Sequence, residues 1–174
     1  MASWTLDSND RFRAGDFDGD GWEDLLAMSA DGDAHLMKLE TFVVDYPDPV
    51  PDGYFYDWQW QWGNNGNSRI ALRQLWPWDN VLAGNYYRDG KDALFVVHNY
   101  NLPTPGTGKR AHMIQSASFG TWQFMREDVS SIALWNMGLD DRYLTGNFLG
   151  DGGDNLLAIS PSTGWAHLMT LQGP

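Results

Sequence analysis

The amino-acid sequence predicts an all-β protein made of three similar units. One motif occurs three times, no stretch sustains the 3.6-residue period of a helix, and turn-forming and aromatic residues are abundant. The chain of 174 residues contains 19 Gly and 8 Pro, and 14% of its residues are aromatic. This mixture is typical of short strands joined by tight turns, and the length suits a single domain.

The repeated motif consists of Gly, then Asp or Asn, then an aromatic residue, followed by a loop with Asp-Gly and an apolar strand. Its copies begin at Gly15, Gly84 and Gly146. They divide the single domain into units of about residues 1–69, 70–131 and 132–174. Each unit is predicted to form about four antiparallel strands, which is the strand count of a propeller blade.

The third unit reaches Pro174 where the aromatic strand around Trp60 and Trp122 of the other units should begin. We therefore expect this unit to be one strand short. Three arrangements remain open at this point: a segment of a longer repeat array, a ring completed by a homodimer, or a smaller closure by three units.

The charge and composition of the chain narrow its partners and its chemistry. The formal net charge is −12, and so acidic a surface repels nucleic acid and anionic membranes. The apolar runs are far shorter than the roughly 20 residues that span a bilayer, so no membrane insertion is expected. The sequence has no cysteine, no Ser nucleophile motif, no phosphate loop and no HExxH site. We expect no catalytic residues, although a carboxylate pair for glycoside hydrolysis is an alternative.

The loop of the first unit has the pattern of a calcium site. Acidic residues stand at positions 1, 3, 5 and 9 of this loop: Asp16, Asp18, Asp20 and Asp24. Calcium prefers dense oxygen ligands, and Trp22 at position 7 can add its backbone carbonyl. An EF-hand would carry an acid at position 12, where this chain has Ala27. The alternative is an Asp-Gly hairpin turn whose carboxylates face water.

The corresponding loops of the other two units keep fewer acids. The potential ligands that remain are Asn85, Asp89 and Asp92 in the second loop and Asn147, Asp151 and Asn155 in the third. Tyr87, Ala93 and Leu149 occupy positions where the first loop has acids. We expect these degenerate loops to be empty or weak metal sites that keep their shape through Asp-Gly turns.

The run from Gly15 to Gly21, followed by Asp24-Leu25-Leu26, resembles the FG-GAP or VCBS repeat. The two degenerate copies extend this resemblance over most of the chain. The resemblance implies β-propeller blades with calcium in the loop between the first two strands of a blade. Members of that family include adhesion receptors, lectins and modules attached to secreted polysaccharide-active enzymes, so it also implies an extracellular, secreted or cell-surface location.

Tryptophans outside the repeat pattern are candidates for ligand binding: Trp76, Trp78, Trp135 and Trp165. Indoles stack on the apolar faces of sugars, while nearby Asp and Asn side chains hold the hydroxyl groups. The best single candidate is the run Trp76-Pro77-Trp78-Asp79-Asn80, because Pro77 holds a loop between two large rings. A hydrophobic plug at the edge of a unit is the alternative.

Three of the four histidines occupy one repeat position: His35, His112 and His167. We favour histidines packed between units. The alternatives are three equivalent ligand pockets, in which a ring nitrogen bonds to a sugar hydroxyl, and a zinc site shared by all three.

These features predict a calcium-stabilised, lectin-like module that binds neutral carbohydrate and belongs to a larger secreted or cell-surface protein. The alternatives are a structural or adhesion module that binds a protein partner, and a small glycoside-active enzyme.

Overall fold

The computed structural model describes residues 7–44, 53–61, 75–98, 110–118, 121–129, 131–132, 135–138 and 140–170, with side chains in 7–38, 75–98, 111–116, 137–138 and 140–170. Every regular element in these ranges is a β-strand, so the prediction of an all-β protein is confirmed. These ranges contain no helix long and apolar enough to cross a membrane.

The described strands form four antiparallel sheets. The first sheet contains β1 (Arg11–Gly15), β2 (Asp24–Met28), β3 (Ala34–Val44) and β4 (Gly53–Gln61). The second contains β5 (Asn80–Gly84), β6 (Ala93–His98), β7 (Arg110–Ser118) and β8 (Thr121–Val129). A short sheet pairs β9 (Ser131–Ile132) with β10 (Trp135–Asn136). The last contains β11 (Arg142–Gly146), β12 (Asn155–Ser160) and β13 (Trp165–Met169).

Each of the three larger sheets is a meander in which consecutive strands are hydrogen-bonded neighbours. The first hairpin has the same register in all three sheets: the first residue of its first strand pairs with the same repeat position in its second strand. The three pairs are Arg11 with Met28, Asn80 with Val97, and Arg142 with Ile159. The repeated motif therefore builds the same hairpin in all three units, and the loop with the acidic residues joins its two strands.

Two apolar cores lie between the sheets. The first core packs Phe17, Leu26, Met28, Ala34 and Leu36 of the first unit against Leu75, Val81, Leu94, Val96 and Ile114 of the second. The second core packs Tyr86, Ala93, Phe95, Val97, Ala111 and Met113 of the second unit against Met137, Tyr143, Leu156, Ala158 and Met169 of the third. The units therefore stack face to face, and burial of each large side chain stabilises a junction by about 1.5–3 kcal/mol.

The strand β6 contributes side chains to both cores, one on each face of its sheet. Side chains alternate along a strand, so Leu94 and Val96 point to the first core while Phe95 and Val97 point to the second. All six residues of β6 are buried. This explains why its sequence is a continuous apolar run rather than an alternating pattern.

A pair of hydrogen bonds repeats at both junctions, and we call it the junction clamp. At the first junction, Asp92 Oδ2 accepts a hydrogen bond from Asp16 N at 3.1 Å, and Asp92 N donates to Asp16 O at 2.7 Å. At the second, Asp154 Oδ2 accepts from Asn85 N at 2.8 Å, and Asp154 N donates to Asn85 O at 3.0 Å. The aspartate just before the second strand of one unit thus binds the loop of the preceding unit.

The junction clamp explains the glycine that opens the repeated motif. A Cβ atom on Gly84 would lie 2.7 Å from Thr145 Oγ1 and 3.0 Å from Asp154 Oδ2, and one on Gly15 would lie 2.6 Å from Asp92 Oδ2. Neither glycine has a positive φ angle. Glycine is needed here because the next unit approaches the backbone closely, and not because of backbone conformation.

Candidate functional site

The first loop folds around the carboxylate of Asp16. Its Oδ1 atom accepts hydrogen bonds from Gly19 N at 2.7 Å and Asp20 N at 3.1 Å, and its Oδ2 accepts from Gly21 N at 2.8 Å. Gly19 and Gly21 have φ angles of 82° and 87°, which residues other than glycine rarely adopt. These bonds fix the course of the loop and hold its other carboxylates near Asp16.

Three of the four predicted acidic ligands come together in this loop, and we call them the acid cluster: Asp16, Asp18 and Asp24. One carboxylate oxygen from each lies within 4.8 Å of the others. Asp24 is only 1% exposed, and its Oδ2 accepts a hydrogen bond from Phe17 N at 3.2 Å. Calcium–oxygen distances of about 2.3–2.6 Å place ligand atoms up to about 5 Å apart, so these oxygens can share one ion.

The fourth acid, Asp20, pairs with a lysine that the sequence analysis did not single out. Lys38 on β3 contacts Asp18 Oδ2, and its Nζ lies 2.7 Å from Asp20 Oδ2. The ammonium group therefore lies beside the acid cluster and neutralises part of its charge.

Aligning the three units would have singled out the position of Lys38, which stands three residues after the repeated histidine. Its counterpart in the second unit is Gln115, whose Nε2 donates to Asp89 Oδ2 at 2.8 Å. The counterpart in the third unit is Thr170, whose Oγ1 accepts from Asn155 Nδ2 at 3.4 Å. This position reaches the loop in all three units, and only the most acidic loop has a cation there.

Burial and charge shift the titration of these groups. Burial, reinforced by repulsion from Asp18, raises the pKa of Asp24 to about 7. Burial acts on Asp20 in the same sense, but hydrogen bonds from Lys38 and from the Trp22 N–H hold its pKa below the ordinary value. For Lys38, burial opposes the charge, yet Asp18 and Asp20 raise its pKa above the ordinary value. Added positive charge would therefore stabilise the ionised acid cluster.

Most potential ligands of the degenerate loops have other partners, and the exception is Asn85, whose buried Oδ1 accepts no hydrogen bond. Asp92 is held in the junction clamp, and Asp151 pairs with Arg88. In the third loop, Asn147 Oδ1 accepts from Asp151 N at 3.1 Å and Asn155 Oδ1 accepts from Leu149 N at 3.2 Å. Among the residues that the structure describes, the acid cluster is the one group of three or more His, Asp or Glu side chains whose ligand atoms lie within 4.8 Å of one another.

The Trp76-Pro77-Trp78-Asp79 turn presents two stacked indoles. The rings of Trp76 and Trp78 are parallel within 5°, with centroids 5.2 Å apart, and Trp78 is 54% exposed. Asp79 is buried under the turn, where its Oδ2 accepts from Trp76 N at 2.9 Å and its Oδ1 lies 2.8 Å from His98 Nδ1. Asp79 therefore holds the turn from inside, and Trp78 is the part that a ligand can reach.

The three repeated histidines have different environments. His112 is fully buried at the first junction, with its ring edge-on to that of His98 at 4.8 Å. His35 is half-buried, and burial lowers its pKa. His167 is exposed. The packing interpretation fits His112, and the three positions do not form equivalent pockets.

The other two candidate tryptophans are separate from this turn in the sequence. Trp165 lies on β13 and is 71% exposed. Trp135 lies on β10, and its side chain is outside the described part of the chain.

Comparisons of the chain with protein-family models, with curated proteins and with solved structures found no match. The acid cluster and the stacked indole pair are therefore the features on which a function can be argued.

Proposed function

We propose that this protein is a calcium-stabilised, non-catalytic module that binds neutral carbohydrate and is built from three blade-like units of the FG-GAP or VCBS type. The acid cluster is the observation that carries this proposal. The contacts of β1 with β5 and of β5 with β11 support a blade-like arrangement, because the first strands of successive blades line the axis of a propeller. We place the protein outside the cell, as part of a secreted or cell-surface protein.

The charge balance of the first loop favours a divalent cation. Five carboxylates stand within nine residues, the four predicted ligands and Glu23, and Lys38 supplies one positive charge against them. Calcium would supply two further charges to oxygens that the loop backbone already holds in place. Asp16, Asp18 and Asp24 would hold the ion, with the Trp22 carbonyl and, after it leaves Lys38, Asp20 as further ligands.

The stacked indole pair, of which Trp78 is exposed, supports sugar binding. Trp78 offers a flat apolar ring that stacks on Trp76, in a turn fixed by the hydrogen bond from Trp76 N to Asp79 Oδ2, so little side-chain freedom is lost when a sugar ring stacks on it. The net charge of −12 disfavours acidic polysaccharides, which leaves neutral glycans as the class of ligand.

The metal proposal is tested by thermal unfolding of chelator-treated protein with and without added calcium. At a calcium concentration 100 times the Kd, the expected stabilisation is about 2.7 kcal/mol, or a rise in midpoint of about 5–10 °C. Asp24→Asn should abolish the rise. Asp89→Asn, which changes an aspartate outside the acid cluster, should preserve it. No calcium-dependent rise in the unmodified protein would overturn the metal assignment.

The sugar proposal is tested with a panel of soluble neutral polysaccharides under the same conditions. One polysaccharide should raise the midpoint further, and Trp78→Ala should remove that additional rise. Trp165→Ala, which removes an indole that is 71% exposed and lies outside the stacked pair, is the matched comparison and should preserve the additional rise. A calcium response without any glycan response would favour the structural or adhesion alternative.

A further inference from the structure

The third unit exposes an apolar face that is covered in the other two. Four of the seven large exposed apolar side chains in the described part of the chain lie here: Leu144, Phe148, Leu149 and Leu168, at 38–55% exposure. With the half-buried Leu157 and Ile159 they form what we call the tail face. The counterparts of Phe148 and Leu168 are Phe17 and Leu36 in the first unit and Tyr86 and Met113 in the second, and all four are fully buried by the following unit.

The first unit carries the complementary surface. Phe12, Ala14 and Leu25 occupy the repeat positions of Val81, Ala83 and Leu94, which receive the first unit at the first junction. Ala14 is exposed, while Phe12 and Leu25 are half-buried. We call this surface the head face; its remaining members, Ala27 and Met37, are buried.

At the first junction an arginine binds the carbonyls of a turn. The same arginine position recurs beside the tail face, and the same turn recurs beside the head face. Arg11 Nη1 donates to Asp79 O at 2.6 Å, and its Nη2 donates to Trp76 O at 2.7 Å. Arg142 occupies the same repeat position beside the tail face and is exposed. The turn that Arg11 binds also recurs beside the head face, where Asp7 N donates to Asp10 Oδ2 at 3.0 Å, as Trp76 N does to Asp79 Oδ2 at 2.9 Å.

At both described junctions a long side chain of one unit covers a glycine of its neighbour. At the first, a Cβ on Gly19 would lie 2.9 Å from Lys91 Cγ, so a long side chain covers a glycine. At the second, a Cβ on Gly153 would lie 2.8 Å from Arg88 Nε, and again a long side chain meets a glycine. Gly150, beside the tail face, occupies the repeat position of Gly19 and Arg88, and no atom lies within 4 Å of a Cβ added to it. Trp22, beside the head face, occupies the position of Lys91 and Gly153 and is 56% exposed.

The junction clamp also has its two halves on these surfaces. Asn147 occupies the position of Asp16 and Asn85, and its side chain is exposed. Glu23 occupies the position of Asp92 and Asp154 and is exposed as well. The carboxylate of Glu23 on one molecule and the loop backbone at Asn147 on another are therefore both available to form a contact like the junction clamp.

We propose that the chain self-associates head to tail, with the tail face of one copy on the head face of a second. In this contact Arg142 binds the Asp7–Asp10 turn, the Trp22 indole covers Gly150, and Glu23 approaches Asn147. Two copies that each use both faces close a ring, which satisfies every such surface. The contact uses the side chains of Trp22 and Glu23 beside the proposed calcium loop, and it does not include the stacked indoles of Trp76 and Trp78.

The association is tested by sedimentation equilibrium of the 174-residue chain over a range of protein concentrations. The expected result is reversible assembly with the mass of two copies at the upper concentrations. Leu168→Lys should weaken it by roughly tenfold or more. Trp165→Lys is the matched control: it lies on the same strand, its side chain points to the opposite face, and it is 71% exposed, so the mass should not change.

Mixing two variants distinguishes a head-to-tail contact from a symmetric one. Ala14→Lys blocks the head face and Leu168→Lys blocks the tail face, so each variant alone should be monomeric. An equimolar mixture keeps one intact head and one intact tail, and it should form a 1:1 complex. Both positions are exposed, and equal urea midpoints for the two monomers would verify that they fold.

Three outcomes would overturn the proposal. The unmodified chain could remain a monomer at all concentrations, which would leave the tail face to a different protein or to a further repeat unit. The mass of Leu168→Lys could equal that of the unmodified assembly. Ala14→Lys could still form dimers while Leu168→Lys does not, which would indicate a tail-to-tail contact.

Discussion

Alanine in place of the motif glycine should destabilise the second unit and spare the third. On Gly84 the new methyl group would lie 2.7 Å from Thr145 Oγ1 and 3.1 Å from Asp154 Cβ, well inside the contact distance of about 3.5–4.0 Å. On Gly146 the nearest atom would be Phe148 Cζ at 3.4 Å, which is close to ordinary contact. The same substitution at two equivalent positions therefore separates the effect of the neighbouring unit from that of the strand itself.

The expected magnitudes follow from these distances. Overpacking costs about 1–3 kcal/mol, and the Asp154 Cβ atom cannot retreat without disturbing the junction clamp. Replacing glycine by alanine in a strand recovers about 0.5–1 kcal/mol, because alanine loses less backbone entropy on folding. We expect Gly84→Ala to lower the free energy of unfolding by about 1–2 kcal/mol, and Gly146→Ala to leave it unchanged or raise it by up to about 1 kcal/mol.

The assay is urea unfolding followed by tryptophan fluorescence, with both substitutions made in the Ala14→Lys variant so that self-association does not contribute. Circular dichroism should give the same midpoints if unfolding is two-state. Equal free energies for the two alanine variants, within about 0.5 kcal/mol, would refute the conclusion that the following unit is what demands glycine.

Three further substitutions test single contacts. Lys38→Gln, which introduces the residue found at this position in the second unit, should tighten calcium binding several-fold in calorimetry by removing a competing ammonium group; equal or weaker affinity would contradict competition. Arg11→Lys should lower the free energy of unfolding by about 1–3 kcal/mol, because lysine cannot bind the same carbonyls with a planar fork, whereas Arg142→Lys should leave that of the monomer unchanged. Because burial lowers the pKa of His35 from 6.5, stability present above that pH is lost as the pH falls below it; His35→Gln should reduce this loss in midpoints measured between about pH 7.5 and pH 5, and an unaltered pH profile would exclude His35 as its source.

The all-β class and the repeated hairpin could be predicted because both depend on local sequence. Each hairpin needs only a glycine, an Asp-Gly loop and an apolar strand, and these recur at fixed spacing. The junctions could not be predicted in the same way. The pattern places Asp92 in the second loop as a potential ligand, whereas its carboxylate accepts a hydrogen bond from Asp16, 76 residues earlier. No local pattern distinguishes an aspartate that serves its own loop from one that reaches the preceding unit.

The candidate site was predictable to a similar extent. The spacing of the acids anticipated the grouping of Asp16, Asp18 and Asp24, because consecutive carboxylates in a tight loop have little room to separate. The pairing of Asp20 with Lys38 was not anticipated, since it depends on how β3 lies beside the loop. Comparison of Lys38 with Gln115 and Thr170 would have indicated a loop-facing position, but only once the three units had been aligned beyond the histidine.

The pattern of apolar residues in the third unit is itself an argument for a covered tail face. In the second unit, Phe95 and Val97 are apolar because the third unit buries them. Leu157 and Ile159 hold the same positions in β12 and are just as apolar, yet they lie on a face with Phe148 and exposed leucines beside it. Exposed apolar side chains add nothing to folding and lower solubility, so a strand with one solvated face favours polar residues at alternate positions. The sequence of β12 lacks that alternation, and it therefore has the composition of a strand that is buried on both faces in the assembled protein.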